Sequence, residues 1–298
     1  MPHIMTKKAG KAAKVLVTGS HGLLGSAFIE VLKKRGIPYT AYDRTHPKAI
    51  KHDVTAVVHF GGVTPHSLVK GGVPSTKDYY AANVAGTATL LTALSHKENI
   101  SRFVNIGSAA ECGFSPRPFR ESSICHPEGA YGQNKLEQSA LVEEFARAHG
   151  VKTFNLRVFN LVGVADRSTG GKIVANRSNL FKALTNQFKK NSPRVIEVSN
   201  AKDMRDYVAV DDVLNAVLKA LTANAGGMYE LVNICSGRGT PISDVVTLFG
   251  KALHLPYTLK NLSRKTNRSI GVAGIADRLL KWHAKISLER AVRKYVEL

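Results

Sequence analysis

The chain has 298 residues, 44% of them hydrophobic, so it is long enough to fold as one large domain or as two lobes around a full core. It contains no run of about 18 apolar residues and no apolar signal core, so we expect no membrane span, no membrane partner and a cytoplasmic location. The net charge is +20, and the basic residues are spread along the chain. Their densest stretch, residues 260–294, has few aromatic side chains that could stack on bases. We therefore expect anionic small molecules rather than nucleic acid as ligands.

The first half of the chain alternates short apolar runs with stretches of helical spacing, and this alternation is typical of parallel strands joined by helices. The predicted strands are residues 14–18, 39–43, 57–62, 102–108 and 152–157, and the predicted helices are residues 23–35, 79–95 and 131–149. Gly36 and Gly150 end two of these helices. We therefore predict an α/β fold with a Rossmann-like, doubly wound parallel sheet.

The pattern loosens after Asn160. Further helices are predicted at residues 179–190, 211–221, 243–253 and 276–295, and further strands at 194–198, 206–208 and 231–235. We divide the chain into a dinucleotide-binding lobe, residues 12–160 plus 203–238, and a smaller α/β substrate lobe, residues 161–202 plus 239–298.

The three cysteines, Cys112, Cys125 and Cys235, are odd in number and widely spaced, and they lack the spacing of metal ligands. We expect free thiols in a reducing compartment and no metal site.

A glycine-rich turn joins the first strand to the first helix, with glycines at positions 19, 22 and 25. Gly19 permits a tight turn, Gly22 lets the backbone approach a pyrophosphate at the helix N-terminus, and Gly25 permits close packing of helix and sheet. A glycine-rich loop without function is the alternative, but the position between strand and helix favours a dinucleotide site. The residues assigned to it here are Gly19, His21, Gly22, Leu23 and Leu24.

The second strand closes on Asp43, roughly 20 residues after the glycines. A carboxylate there accepts hydrogen bonds from the adenosine ribose and repels a 2′-phosphate, which favours NAD. Arg44 follows directly and can pair with a 2′-phosphate, so NADP stays open as the cofactor. The alternative role for Asp43 is to cap a turn.

Three residues form the candidate catalytic set: Ser108 at the end of the fourth strand, then Tyr131 and Lys135 on one face of the next helix. The lysine charge lowers the cost of a phenolate, so the tyrosine can exchange a proton with a substrate oxygen that Ser108 also holds. Each residue alone is a weak signal, because serines often end strands and Tyr-x-x-x-Lys is common on helices. In this order, after a glycine turn, the set indicates hydride transfer beside a nicotinamide.

The chain resembles the extended short-chain dehydrogenase/reductases of the nucleotide-sugar epimerase/dehydratase/reductase type, from about Val15 to about Gly237. The resemblance lies in Thr18-Gly19-x-x-Gly22-x-x-Gly25, Val58-His59-Phe60-Gly61-Gly62, Asn83-Val84-Ala85-Gly86-Thr87, Tyr131-x-x-x-Lys135, Leu156-Arg157-Val158-Phe159-Asn160, Arg205-Asp206-Tyr207-Val208 and Asn233-Ile234-Cys235-Ser236-Gly237. It implies a nucleoside-diphosphate sugar as substrate and a homodimer that pairs helices 79–95 and 131–149 of each subunit.

The resemblance also implies roles for further residues. Those beside the cofactor would be Phe60, Gly61, Gly62, Asn83, Phe159, Tyr131 and Lys135. Among them, Asn83 would support the cofactor loop. Asp53 aligns loosely with the aspartate that contacts adenine in the family. Those beside the substrate would be Thr64, Ser108, Ala109, Asn160 and Arg205. Arg205 would clamp the diphosphate, and its alternative is a salt bridge to Asp203 or Asp206. Family members place a helix between the second and third strands, for which this chain has no room.

The residues after Ser108 help to distinguish dehydration from reduction and epimerisation. Dehydratases of this kind resemble one another in an acidic residue directly after the catalytic serine or threonine, whereas Ala109 and Ala110 stand here and Glu111 comes one position later. We therefore disfavour a 4,6-dehydratase. We expect an NAD(P)-dependent oxidoreductase acting at C4, with reduction of a 4-keto-6-deoxy sugar slightly ahead of 4-epimerisation. A cofactor-binding regulatory protein without turnover is the alternative from another class.

Overall fold

The computed structural model describes residues 14–42, 44–46, 50–67, 69, 72–165, 174–175, 179–190, 194–224, 226–263 and 266–297. Within them the strands are β1 Lys14–Thr18, β2 Tyr39–Ala41, β3 Val54–His59, β4 Arg102–Ser108, β5 Lys152–Val158, β6 Asn160–Val162, β7 Val164–Ala165, β8 Val174–Ala175, β9 Val195–Val198, β10 Met204–Ala209, β11 Tyr229–Ile234, β12 Gly239–Pro241, β13 Thr258–Asn261 and β14 Arg268–Ser269. The helices are α1 Leu23–Lys34, α2 Thr76–Tyr79, α3 Gly86–Ser95, α4 Gly129–His149, α5 Asn179–Phe188, α6 Val210–Thr222, α7 Ile242–Leu253, α8 Gly274–Leu280 and α9 Leu288–Val296. A π-helical segment, Tyr80–Ala85, joins α2 to α3, and a 3₁₀ turn, Ala109–Glu111, follows β4.

The central sheet has six parallel strands in the order β11-β5-β4-β3-β1-β2. Its register places Thr18 beside His59 and Ser108 beside Val158, so the carboxyl ends of these strands share one edge. From β1, the chain builds toward β2 on one side and toward β3 on the other. That reversal is the switch point at which open α/β sheets bind ligands. The predicted Rossmann-like fold is confirmed.

Side chains alternate between the two faces of the sheet, and each face has its own core. On one face Val15, Val17 and Val104 pack with α1, α6 and α8. On the other face Leu16 and Phe103 pack with α3 and α4. Helices therefore cover both faces, as a parallel sheet requires. The predicted pairing of α3 and α4 with a second subunit stays a prediction.

A second lobe is built from α5, α7, α9 and short sheets. Its core is aromatic: the Phe181 and Phe249 rings lie 5.0 Å apart edge to face, and Tyr295 packs 5.1 Å from Phe181. The strand pairs β9–β13 and β10–β12 support this core. β10 also pairs with β6, and its Val208 belongs to the core of the first lobe, so one strand ties the lobes together.

The predicted lobe boundary differs from the packing near the C-terminus. Residues 274–282 were expected in the substrate lobe, but Ala276, Leu280 and Trp282 are buried in the core of the first lobe. The indole nitrogen of Trp282 donates a hydrogen bond to the Asp212 carbonyl at 2.9 Å. Residues 274–282 therefore pack as part of the first lobe.

The single helix predicted for residues 276–295 is wrong. α8 ends at Lys281, which adopts the left-handed conformation with φ 50°, and α9 begins only after Ser287, whose hydroxyl caps it. Burial of Trp282 turns the chain inward between the two helices, so tertiary packing overrides a helical pattern. Among the described helices, none is long and apolar enough to cross a membrane.

Candidate active site

The loops after β1 and β3 meet at the switch point of the sheet. Gly19 has φ +62°, and a Cβ atom there would lie 2.7 Å from the Phe60 carbonyl carbon and 2.8 Å from the Gly61 nitrogen. Only glycine permits this approach of two backbones. The glycine turn and the segment Phe60, Gly61 and Gly62, both predicted to line a cofactor, therefore form one crevice.

The other two glycines of the turn serve different purposes. A Cβ at Gly25 would lie 2.2 Å from the Gly19 carbonyl oxygen, so Gly25 is demanded by packing between helix and turn. Gly22 is exposed, and its Cβ would meet only that oxygen, at 3.2 Å. No described side chain caps α1 at Gly22, and its first turn holds no acidic residue. Free N–H groups at a helix N-terminus fit an anionic group such as a pyrophosphate.

The other residues predicted for the turn lie around it. His21 is exposed, with its ring 3.3 Å from the Ser20 hydroxyl. Leu23 and Leu24 are partly buried against the core of the first lobe. His21 is therefore accessible at the turn, and the two leucines hold the start of α1 against the core.

Asn83 braces the loop after β3. Its side-chain oxygen accepts a hydrogen bond from the Val63 N–H at 2.7 Å, and its amide donates to the Val63 carbonyl at 3.0 Å. A Cβ at Gly62 would lie 2.7 Å from that same oxygen. Asn83 is fully buried within the π-helical segment, so it supports the loop, as expected, and its amide is occupied by the protein backbone.

Ser108 and Tyr131 are brought together by the turn after β4 and the start of α4. The Ser108 side chain lies close enough to the Tyr131 hydroxyl to lower the pKa of Tyr131. The Ser108 hydroxyl also accepts from the Ala110 N–H at 3.2 Å. A Cβ at Gly132 would lie 2.5 Å from the Ala110 carbonyl, so α4 rests directly on the turn. The two residues predicted to hold one substrate oxygen are thus adjacent at the carboxyl edge of the sheet.

Lys135 is buried beneath this pair. Its ammonium group donates to the Ile106 carbonyl at 2.7 Å and to the side-chain oxygen of Gln138. Burial lowers the pKa of Lys135 to about 8, and the charge of Glu111 partly offsets that effect. The three predicted catalytic residues therefore share one small region.

The pKa of Tyr131 differs from the sequence-based expectation. Burial raises it to about 12, the Ser108 side chain lowers it in part, and Glu111 and Tyr79 raise it further. Desolvation of the phenolate is the largest effect, and the group that lowers the pKa is Ser108, not Lys135 as expected. The ring of Tyr79 lies 5.6 Å from that of Tyr131 and contributes to this apolar setting.

A buried ion pair lies under Ser108 and was not recognised in the sequence. Glu111 accepts from the Ser108 N–H at 2.8 Å and pairs with the Arg157 guanidinium at 3.3 Å. Both side chains are almost fully buried. The only sequence signal was an acid three residues after a strand-end serine, which is a capping box. Glu111 therefore fixes the turn that presents Ser108.

A polar network connects Lys135 to the glycine turn, and it was also missed. The Gln138 amide donates to the Thr87 hydroxyl at 2.8 Å and lies 3.2 Å from His59 Nε2. His59 Nδ1 is 2.7 Å from the Thr18 hydroxyl, which accepts from the Gly61 N–H at 3.0 Å. Burial, and then the charge of Lys135, lower the pKa of His59 to about 3, so its imidazole is neutral.

The remaining predicted residues near the substrate lie along the same edge. Ala109 and Phe159 are buried together in one apolar cluster, and Asn160 donates to the Asp206 carbonyl at 3.1 Å. Thr64 is exposed on the loop after β3, where its hydroxyl lies 3.2 Å from that of Ser67. Their proposed contacts with ligands stay predictions.

Arg205 forms a salt bridge within the protein, which the sequence analysis gave as the alternative to clamping a diphosphate. Its guanidinium forms a salt bridge with Asp203 at 2.9 Å, donates to the Asn267 carbonyl at 3.0 Å and lies 4.6 Å from the centre of the Phe114 ring. A diphosphate would have to compete with the Asp203 carboxylate for it. Asp206 is satisfied by the backbone and hydroxyl of Ser236 and by Gly237, so it fastens β10 to the loop after β11.

Asp43, Arg44 and Asp53 were predicted to lie near the adenosine end of the cofactor. Asp43 lies outside the described residues, and Arg44 is exposed directly after it. The prediction for Asp53 is wrong: it precedes β3 and pairs with Lys14 at 3.5 Å, at the amino ends of the strands. That edge is ~13 Å from the glycine turn by the rise of β1. The described residues between β2 and β3 contain no helix, as expected.

Residues 15–235 match the model of the NAD dependent epimerase/dehydratase family. Among curated proteins, the chain is 30% identical over 277 residues to a UDP-glucose 4-epimerase of Azospirillum brasilense, covering 81% of this chain and 78% of that protein. It is 25% identical over 249 residues to a GDP-6-deoxy-D-mannose reductase of Pseudomonas aeruginosa, covering 79% and 78%.

Solved structures show the same fold. RMD of Pseudomonas aeruginosa, complexed with NADPH, superposes with a TM-score of 0.79 at 22% identity, covering 96% of this chain and 98% of that one. A UDP-glucuronic acid 4-epimerase of Bacillus cereus, complexed with NAD, gives a TM-score of 0.79 at 18% identity, covering 95% and 96%.

Proposed function

The chain belongs to the NAD dependent epimerase/dehydratase family, and we propose that it is an NAD(P)-dependent enzyme that interconverts the C4 epimers of a nucleoside-diphosphate sugar. The observation that carries this proposal is the position of Ser108 next to Tyr131, with Lys135 buried one turn further along the same helix. This set lies at the same sheet edge as the glycine turn, so a proton on the C4 oxygen and a hydride on C4 can be exchanged in one site.

Ser108, Tyr131 and Lys135 each have a separate role in the proposed reaction. Ser108 donates a hydrogen bond to the C4 oxygen and holds it against the Tyr131 hydroxyl. Tyr131 would act as a phenolate: it takes the proton of the C4 hydroxyl and later returns it, once the sugar has turned its other face. Since burial raises the pKa of Tyr131 to about 12, this role requires positive charge beside the phenolate. Lys135, whose pKa of about 8 keeps it largely protonated at neutral pH, stabilises negative charge that develops on the tyrosine oxygen.

The glycine turn and residues 60–62 would hold the dinucleotide. The uncapped start of α1 and the exposed Gly22 fit its pyrophosphate, and Asn83 keeps the second loop in place. A dinucleotide held there would supply the acceptor and donor for the hydride at C4. We propose NAD as the cofactor, with NADP as the alternative, because Arg44 is exposed next to the ribose-binding position.

Dehydration is disfavoured by the residues around Ser108. Ala109 and Ala110 have no acidic group, and the carboxylate of Glu111 is buried against Arg157 and the Ser108 N–H. An acid that is fully enclosed and ion-paired has no route to a sugar hydroxyl. The site therefore favours reactions that need only one proton donor.

Reduction of a 4-keto-6-deoxy sugar is the second candidate, and one observation favours it. The described residues between β2 and β3 form no helix, which leaves the adenosine flank less enclosed. A reductase must release its oxidised cofactor after each turnover, whereas an epimerase keeps it. The curated relatives include both an epimerase and a reductase.

A paired assay tests the proposal. The protein is incubated with NAD and UDP-glucose or UDP-galactose, and the sugars are separated by chromatography; in parallel it receives a GDP-4-keto-6-deoxyhexose with NADPH, followed by nicotinamide absorbance. Interconversion of the hexoses without net change in absorbance supports the epimerase. Stoichiometric oxidation of NADPH supports the reductase. Cofactor binding without turnover across a panel of nucleoside-diphosphate sugars would contradict both and favour a regulatory protein.

A further inference from the structure

Two cysteines that are 13 positions apart in the sequence lie side by side in the fold. The Sγ atoms of Cys112 and Cys125 are 2.8 Å apart, and both are free thiols. The wide spacing in the sequence gave no sign of this contact. Two thiols at this distance need only a small approach to form a covalent bond.

The two thiols differ in their access to solvent. Cys112 is 1% exposed and packs in the apolar cluster with Ala109 and Phe159. Cys125 is half-buried, and its neighbours in the chain, Ile124 and His126, are exposed. A small oxidant can therefore reach Cys125 but not Cys112.

The surroundings also favour a thiolate at Cys125. Its hydrogen bond with Cys112 and the charge of Arg157 lower its pKa to about 7 against the opposing effects of burial and Glu111. The hydrogen bond with Cys125, followed by burial, raises the pKa of Cys112. A thiolate is the nucleophile in thiol oxidation, so Cys125 is the first sulfur to react.

We propose that Cys112 and Cys125 form a reversible dithiol–disulfide site, with Cys125 as the attacking thiol and Cys112 as the resolving thiol. A hydroperoxide is the oxidant class. Cys125 attacks one peroxide oxygen, the O–O bond breaks, and a sulfenic acid forms together with the alcohol of the hydroperoxide, which is water when the oxidant is hydrogen peroxide. Cys112 then attacks the sulfenic sulfur, the S–O bond breaks, and the disulfide and one water form. Two electrons pass from the two thiols to one peroxide, and a dithiol reductant reverses the reaction.

The disulfide would join the two segments that carry the catalytic pair. Cys112 ends the turn that starts at Ser108, and Cys125 lies on the segment that leads into α4 and Tyr131. These segments already touch, since the His126 N–H donates to the Cys112 carbonyl at 3.2 Å and a Cβ at Gly113 would lie 2.2 Å from the His126 carbonyl. Oxidation would therefore fix the distance between the two halves of the site and stabilise them.

Mass spectrometry of the full chain tests the site. The reduced protein is treated with hydrogen peroxide near stoichiometry, alkylated, weighed and digested. We expect loss of two hydrogen atoms, a peptide cross-linked through Cys112 and Cys125, and reversal by dithiothreitol. The melting temperature should rise by roughly 5 °C on oxidation, because the cross-link restricts the unfolded chain.

Single substitutions separate this site from general oxidation. Cys125→Ser should abolish the cross-link and the thermal shift, while Cys235→Ala, a change at the third thiol, should leave both intact. The proposal is overturned by a sulfinic acid at Cys125 beside a free Cys112, by a cross-link through Cys235, or by no oxidation at peroxide levels that oxidise free cysteine.

Discussion

The side-chain oxygen of Gln138 accepts a hydrogen bond from the ammonium group of Lys135, one turn earlier on α4. The amide nitrogen of the same residue is bonded to Thr87 and lies against His59. Gln138 is fully buried. Its amide therefore holds the lysine in a fixed position relative to the sheet strand that carries Thr18 and the glycine turn.

We expect Gln138→Leu to lower kcat about tenfold or more, with KM little changed, because a lysine displaced from the tyrosine stabilises negative charge less well. Steady-state kinetics on the accepted sugar checks this. Gln133→Leu, at an exposed position of the same helix, is the matched control and should behave like the wild type. Equal kinetics in both variants would remove Gln138 from the positioning of Lys135.

Removing the charge of Glu111 should destabilise the protein strongly. Glu111→Gln leaves Arg157 as an uncompensated buried charge, and loss of one partner of a buried pair costs about 3–5 kcal/mol. Urea unfolding measures the change. The matched control is Glu143→Gln, which breaks an exposed Glu–Arg pair on α4 and should cost about 0.5 kcal/mol or less. Similar losses in the two variants would contradict the structural role of Glu111.

His59 should make the protein sensitive to acid. Its pKa is lowered to about 3 in the folded state, so between pH 6.5 and 3 the unfolded chain binds the additional proton. The stabilisation that depends on neutral His59 is complete above about pH 6.5 and is lost progressively as the pH falls. The lowering corresponds to about 5 kcal/mol over that range.

Unfolding at pH 7 and pH 4.5 tests this prediction. His59→Gln should be destabilised at pH 7 but should lose less stability than the wild type on going to pH 4.5. The exposed His96→Gln serves as control and should follow the wild type at both pH values. A parallel decline in all three proteins would assign the acid sensitivity to other groups.

Substitution of Gly25 should mainly affect stability, whereas substitution of Gly22 should mainly affect cofactor binding. Gly25→Ala forces a Cβ to within 2.2 Å of the Gly19 carbonyl and should lower the free energy of unfolding by about 1–3 kcal/mol. Gly22→Ala meets only a 3.2 Å contact, so the fold should survive while NAD affinity falls about tenfold or more. Calorimetric titration with NAD and thermal unfolding distinguish the two effects. Unchanged NAD affinity in Gly22→Ala would argue against pyrophosphate binding at this turn.

Much of the fold could be predicted because its signals are local. β4 was predicted at its observed bounds, Arg102–Ser108, since an apolar run of this length reads directly as a buried strand. α1 and α4 were predicted to within two residues, because Gly36 and Gly150 mark their ends. The positions of Gly19, Ser108 and Tyr131 along one edge follow from the parallel order of the strands.

The missed features depend on contacts between distant segments. Arg157 meets Glu111 only because β4 and β5 are neighbours in register, and His59 meets Gln138 only because α4 packs over β3. The error for Asp53 has another origin: the residue precedes β3 and therefore lies at the amino edge of the sheet, which the loose alignment with the family's aspartate did not take into account. The helix predicted for residues 276–295 is interrupted at Lys281 because the next residue, Trp282, is buried in the core.

The proton exchange by Tyr131 is the central claim, and the turnover of Tyr131→Phe on the sugar accepted by the wild type tests it most directly. We expect kcat to fall by about 100-fold or more while NAD affinity stays within about twofold. Tyr80→Phe, which removes the hydroxyl of an exposed tyrosine on the neighbouring π-helical segment, should retain wild-type turnover. Turnover of Tyr131→Phe equal to that of Tyr80→Phe would contradict the assignment of Tyr131 as the proton donor and acceptor.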